Sequence, residues 1–374
     1  MSIDAFGLIY TGENNPLMRD LTLSRSVAAV PFGGRYRCID FILSDMVNSG
    51  VTSVGLITQK NYHSLMDHLG SGKEWDLHRK REGLFLLPPF MTKENPGLYR
   101  GSVDALRSCF GYARRCPQRY VILSGSHTIF NMRFNDILER HIKTGADITV
   151  MYNETGPFSR EDQNKDLRLS LDENGRITEM QYNPLRPNSP YQSCDVAILD
   201  KNLLEYLVEE AYARGNFDLI RDIMLKKINT LNIMGYRYDG FVARLDSLNC
   251  YFSHSMALLR PEVRADLFNR RHPIYTKVKD EVATSYGPDA VVSNAMLADG
   301  CTVEGQVENS LIFRGVTIGK GAVVRNSIIM QAAAIGERCV LDHVILDKGV
   351  TIRPERTLIG YDSFPIILKK STTL

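Results

Sequence analysis

Ser126 and His127 stand side by side just after a short apolar run, Tyr120–Ser124. A hydroxyl next to an imidazole suggests a nucleophile and its base. Neighbouring side chains in a strand or turn diverge, however, and no orienting acid is evident nearby, so Ser/His hydrolysis is a poor reading. No GxxxxGK[ST] run is present, which excludes a P-loop. The seven cysteines are scattered and never form CxxC, so they read as reduced thiols used as small hydrophobes rather than as a zinc site or disulfide framework. His78-Arg79-Lys80-Arg81 is a short basic run. It reads as a solvated loop, or one facing a phosphate-bearing ligand. Trp75, the sole tryptophan, reads as a loop anchor packed on apolar surface.

Elements that could position such groups alternate along the first part of the chain. Strand-like runs occur at Ala5–Tyr10, Val51–Thr58, Tyr120–Ser124 and Ile148–Tyr152. Helix-like segments lie between them at Ile39–Ser49, Asn61–Leu69, Ser102–Arg115 and Phe134–Thr144. This alternation predicts an α/β domain with a mostly parallel sheet covered on both faces. Ligands in such sheets bind beyond the carboxyl ends of the strands, which directs attention to the turns after Tyr10 and Ser124.

Near Gly287 the pattern changes. Ile312, Ile318, Val324 and Met330 recur every six residues, and after a one-residue slip the phase resumes at Ile335 and Leu341. A six-residue period with glycines at the corners predicts a β-helix of hexapeptide coils, with a short-stranded β-sandwich as the alternative. Between the two parts, Ser255–Thr276 reads as a helix plus a linker broken at Pro273, strapping them together. The expected division is 1–252, a linker at 253–286, and 287–374.

Composition sets the outer bounds. The 374 residues are 44% hydrophobic and 24% charged, ordinary for a globular chain with a sizeable core. A formal net charge of +2 argues against a general nucleic-acid partner. No apolar run reaches the roughly 18–20 residues of a membrane span, and the start carries no basic segment of a secretory signal, so a cytoplasmic protein without membrane attachment is expected.

Several long stretches resemble the ADP-glucose pyrophosphorylases (glucose-1-phosphate adenylyltransferases). They are VPFGGRYRCIDFILSDMVNSG at Val30–Gly50, HLGSGKEWDL at His68–Leu77, YRGSVDAL at Tyr99–Leu106, PIYT at Pro273–Thr276 and SLIFRGVTIGKGAVVRNSIIM at Ser310–Met330. The resemblance implies a Rossmann-like nucleotidyltransferase domain followed by a left-handed parallel β-helix, assembled as a tetramer.

The positions that carry the family's chemistry depart from its pattern. The family's glycine loop LAGGxGxRL is here YTGENNPLM: Gly12 is kept, but Glu13 and Asn15 replace glycines and Leu17 replaces the arginine. Val27 stands where the lysine of RAKPAV would be. A phosphate cradle needs close backbone approach. Glu13 instead brings a negative charge, which at about 4 Å repels another by roughly 4 kcal/mol at an effective dielectric near 20. Ser126 takes the position of one metal-binding aspartate and Arg244 that of the second. Magnesium prefers hard anionic oxygens. Asp246 is close, but is expected to point to the opposite side of an extended segment. In the sugar-phosphate clamp FxEKP, Tyr182 and Asn183 replace the glutamate and the lysine.

Losses at these separate points resemble the non-catalytic, regulatory type of subunit in this family. By that resemblance no catalytic residue remains, and Gly12, Arg25, Arg100, Gly101 and Asp104 are a vestigial nucleotide site. Arg35 and Arg37 become candidates for binding a phosphorylated sugar effector such as fructose 1,6-bisphosphate, with plain surface charge as the alternative; Lys60 is a further retained cation. No cofactor is expected to be bound catalytically, magnesium being held only by a catalytic partner subunit of a heterotetramer in bacterial glycogen synthesis. The alternatives are a competent adenylyltransferase with a rearranged site and a free-standing sugar-nucleotide sensor.

Overall fold

A computed structural model describes residues 3–11, 15–89, 97–155 and 166–374. A nine-stranded sheet organises the first part. Its centre is parallel: the Ala5–Tyr10 strand lies between Tyr120–Ser124 and Ser53–Ile57, and Gly83–Leu87 extends the sheet beyond. Alternation along these strands fills two layers. Phe6, Leu8, Val121 and Leu123 enter one core, and Ala5, Ile9 and Ile122 the other. The long Tyr191–Asp200 strand runs antiparallel to Tyr120–Ser124 and bridges to Ile148–Glu154, itself parallel to Ile233–Arg237.

The helices follow their apolar spacing. Phe134, Ile137, Leu138 and His141 form the buried stripe of the Phe134–Thr144 helix, which ends at Gly145 with φ 59°. The Ser49 hydroxyl accepts the Phe134 N–H at 2.7 Å and so fixes where that helix begins. The expected helix Ser102–Arg115 is divided into Ser102–Ser108 and Phe110–Ala113. The strap is two helices, Leu248–Ala257 and Pro261–Leu267; Pro261 opens the second, where its missing N–H costs nothing.

The C-terminal part is built from three parallel five-stranded sheets, the arrangement of a left-handed β-helix. Ile312, Ile329 and Leu346 stack in register and point inward with Ile318, Val324, Ile335 and Leu341. On the same sheet Leu311, Ile328 and Ile345 point outward, where with Met330 they pack against Phe41, Tyr251, Phe252, Leu258 and Leu267. One face of the solenoid is thereby buried against the first domain. Among the described residues no helix is long and apolar enough to cross a membrane.

Candidate functional site

A cleft of about 380 Å³ opens beyond the carboxyl ends of the Ala5–Tyr10, Ser53–Ile57 and Tyr120–Ser124 strands. Its floor is apolar, with Leu8, Ile57, Leu123 and Met224. Its polar end is formed by Ser124, Gly125, His127, Ser193, Asp195 and Arg244.

Arg244 decides the chemistry of that end. The short Ala243–Arg244 strand pairs with Thr128–Ile129 and brings the side chain inward, where it is only 6% exposed. Its Nε donates to Asp246 Oδ2 at 2.9 Å and its Nη1 to the Ser193 carbonyl at 2.7 Å. Its Nη2 lies 3.4 Å from His127 Nε2. Burial disfavours the charge, but Asp246, and behind it Asp195 and Asp166, outweigh burial and raise the pKa, so the guanidinium stays charged. Contrary to the expectation from the sequence, Asp246 does not point to the opposite side from Arg244. Residues two apart in an extended segment share a side, and its carboxylate is bound to Arg244.

Asp195 was not legible as a site residue, although an acid within the apolar run of the Tyr191–Asp200 strand is an unusual signal. It has φ 59°, in a stretch where that strand slips register against Ile148–Glu154. Its Oδ2 stands 3.4 Å from His127 Nδ1, so an acid does flank the imidazole, delivered from a neighbouring strand. It also occupies the space over Gly125, where any Cβ would lie 1.6 Å from Oδ2. Ser126 is buried and does not line the cleft.

The remaining candidates are distributed unevenly. Gly12 and Glu13 lie outside the described residues. Asn15 is buried, and its amide donates to the carbonyls of Leu245 and Asp246, tying the first loop to the Arg244 segment. Arg100 and Gly101 line the cleft; Arg100 pairs with Asp104 at 3.2 Å and lies over the Phe217 ring at 3.9 Å. Tyr182 lines the cleft, with Arg221 over its ring, while Asn183 is exposed. Val27 is buried in the interdomain core and Leu17 is exposed. Arg25 is away from the cleft, paired with Asp347. The donor set does not fit magnesium. Of the two positions expected to offer carboxylates, one is a hydroxyl and the other a guanidinium that already binds the nearest carboxylate. Among the described residues no group of three or more His, Cys, Asp or Glu is arranged to hold a metal ion.

Residues 11–238 match the nucleotidyl transferase family, and residues 280–364 match the GlmU-like C-terminal hexapeptide family. The chain is 41% identical over 355 residues to the glycogen biosynthesis protein GlgD of Geobacillus stearothermophilus, spanning 95% of this chain and 93% of that one. It is 38% identical over 354 residues to GlgD of Bacillus subtilis (strain 168), spanning 94% and 92%. It is 34% identical over 321 residues to the glucose-1-phosphate adenylyltransferase of Pseudothermotoga lettingae, spanning 85% and 75%. The chain belongs to the ADP-glucose pyrophosphorylase family.

This ADP-glucose pyrophosphorylase homologue has a second pocket, of about 60 Å³, between its two domains. A single water needs roughly 10–15 Å³, so a compact oxyanion fits. Its walls carry Arg35, Arg37, Lys277, Lys279, Arg314 and Lys348, with Asp67 as the only carboxylate among the described lining residues. Arg35 reaches Asp299 at 3.4 Å, and Arg37 donates to the Ser64 carbonyl at 2.6 Å. Arg314 is 5% exposed, and its Nε and Nη2 have no hydrogen-bond partner among the described residues. Burial and the nearby Arg35 lower its pKa. Buried guanidinium N–H groups left without acceptors are costly, and a bound anion would satisfy them. Arg35 and Arg37 are legible in the sequence; Arg314 and Lys348 lie too far along the chain for any local pattern to join them.

Proposed function

We propose that this chain is a regulatory, catalytically deficient subunit of bacterial glycogen synthesis that assembles with a catalytic homologue and alters its response to phosphorylated effectors. The observation that carries this reading is the buried Arg244, held by Asp246 and the Ser193 carbonyl where the chemistry needs an anionic metal cage. Transferring a nucleotidyl group requires charge stabilisation of the phosphates. In the cleft, Arg244 is matched by Asp246 and Arg100 by Asp104, so neither guanidinium brings unmatched charge to a phosphate. The interdomain pocket supports the effector part, since its cations have the sign and reach to hold a phosphate.

The test is ADP-glucose formation with magnesium, by the chain alone and mixed with a catalytic homologue. Little turnover alone, with co-elution and a changed rate or effector response in the mixture, is expected. Robust turnover alone would overturn the reading and favour a competent enzyme with a rearranged site. The preserved cleft, still lined by Gly101, Tyr182 and Asp218, favours retained ligand binding as a second reading. A sugar-nucleotide sensor would bind there without co-eluting with any homologue.

A further inference from the structure

We infer that an oxyanion entering the interdomain pocket takes up a proton at Lys348, so that binding there reports anion and acidity together. This rests on reading the pocket as the effector site and specifies how that site is regulated.

The geometry forces cations together. Lys348 sits at the turn after the Val344–Leu346 strand, with its backbone N–H donating to Asp347 Oδ1 at 2.7 Å. That carboxylate is already committed, because Arg25 occupies both of its oxygens at 2.9 and 2.8 Å. Most of the lining is positive: Arg35 and Arg37 from the hairpin that pairs Pro31–Phe32 with Tyr36–Arg37, Lys277 and Lys279 from the linker after the strap, and Arg314 from the neighbouring coil, while burial raises the pKa of Tyr36 on the same hairpin. The helix His63–Leu69 adds Asp67, which lies 3.8 Å from Lys277 Nζ, and His68, whose Nε2 is 2.6 Å from Asp40. Burial first, then Arg37 and Arg25, bring the Lys348 pKa down to about 7, with Asp347 opposing.

Near neutrality the pocket therefore contains a partly deprotonated amine. An anion placed among these groups favours the charged amine, and by linkage its affinity falls as pH rises above 7. The other groups do not reproduce this slope. Guanidinium groups do not titrate in this range. Burial lowers the His68 pKa below its ordinary value, so that ring is neutral above pH 7. A lysine at this position is decisive, since an arginine would hold an anion without releasing or taking up a proton.

Sulfate is the appropriate probe because its own charge is constant in this range, whereas phosphate titrates. Calorimetric titration of the full chain with sulfate, at fixed ionic strength and at pH 7.0 and 8.5, gives the affinities. Repeating it in buffers of different ionisation enthalpy counts the protons. The expected result is a loss of affinity on the order of tenfold between the two pH values, with proton uptake approaching one per anion near pH 8. Lys348→Arg should bind with little pH dependence, and Lys348→Met weakly at both values. Wild-type binding that is independent of pH, or the same slope in Lys348→Arg, overturns the proton linkage while leaving the effector pocket standing. Absence of sulfate binding to the wild type at either pH overturns both.

Discussion

Arg25 and Asp347 lie 322 positions apart and meet as a two-pronged ion pair, both side chains almost fully buried. The pair joins the loop that follows the first strand to a turn of the β-helix. It also removes Arg25 from any role at the cleft. Breaking a buried pair by deleting one partner leaves an uncompensated charge and costs about 3–5 kcal/mol. Arg25→Ala and Asp347→Asn should each destabilise the chain by about that amount, while Arg25→Met with Asp347→Leu should cost much less. Urea unfolding of the four proteins tests this; a double replacement that costs the sum of the two single ones would show that the charges are not coupled.

Arg244 predicts a limit on restoring chemistry. Ser126→Asp with Arg244→Asp would return two carboxylates, but it would also strip Asp246 of its guanidinium partner beside Asp195 and His127. Ser126 is moreover buried outside the cleft lining. The double variant should be less stable than the parent and should not form ADP-glucose at the rate of a catalytic homologue. Full recovery in a magnesium-dependent assay would show that the changes at Asn15, Leu17 and Val27 are harmless.

These relationships mark how far the sequence could be read. Periodicity is local, so the helix Phe134–Thr144 and the inward-facing Ile312, Ile318 and Val324 were visible as patterns. The antiparallel placement of Tyr191–Asp200 was not, because strand direction depends on distant partners. The substituted positions Ser126 and Arg244 were visible, but not what Arg244 binds: Ser193 comes from another strand, and Asp246 was assigned the wrong side. The grouping of Arg37, Arg314 and Lys348 arises only when the solenoid packs on the sheet domain.

Asp45 supplies a stability test within the sheet domain. It is fully buried in the Cys38–Asn48 helix, where Oδ1 accepts the Met132 N–H at 3.2 Å and Oδ2 has no partner among the described residues. Burial raises its pKa well above the ordinary 3.8, only partly opposed by that N–H. A raised carboxyl pKa means that the folded chain holds a proton the unfolded chain releases. Stability from this group is present at low pH and is lost as pH rises through the folded value. Asp45→Asn keeps an acceptor and cannot ionise. Its Tm advantage over the wild type should therefore grow from pH 4 to pH 8, and a difference independent of pH would show that Asp45 carries no unusual proton.

Lys348 should leave the opposite signature. Its folded pKa of about 7 lies below the ordinary 10.5. Between those values the unfolded chain binds the proton and the folded chain does not, so this group makes stability rise with pH above 7 and penalises the fold below it. The slope is at most about 1.4 kcal/mol per pH unit. Replacing Lys348 by Met removes the charge and the slope together. The gain in Tm for Lys348→Met over the wild type should thus be largest below pH 7 and shrink toward pH 9. Saturating sulfate should cancel the wild-type penalty at low pH, because the anion supplies the negative charge that Arg25 has taken from Asp347. A Tm difference between wild type and variant that stays constant from pH 6 to pH 9 would mean that Lys348 keeps an ordinary amine's proton inside the pocket.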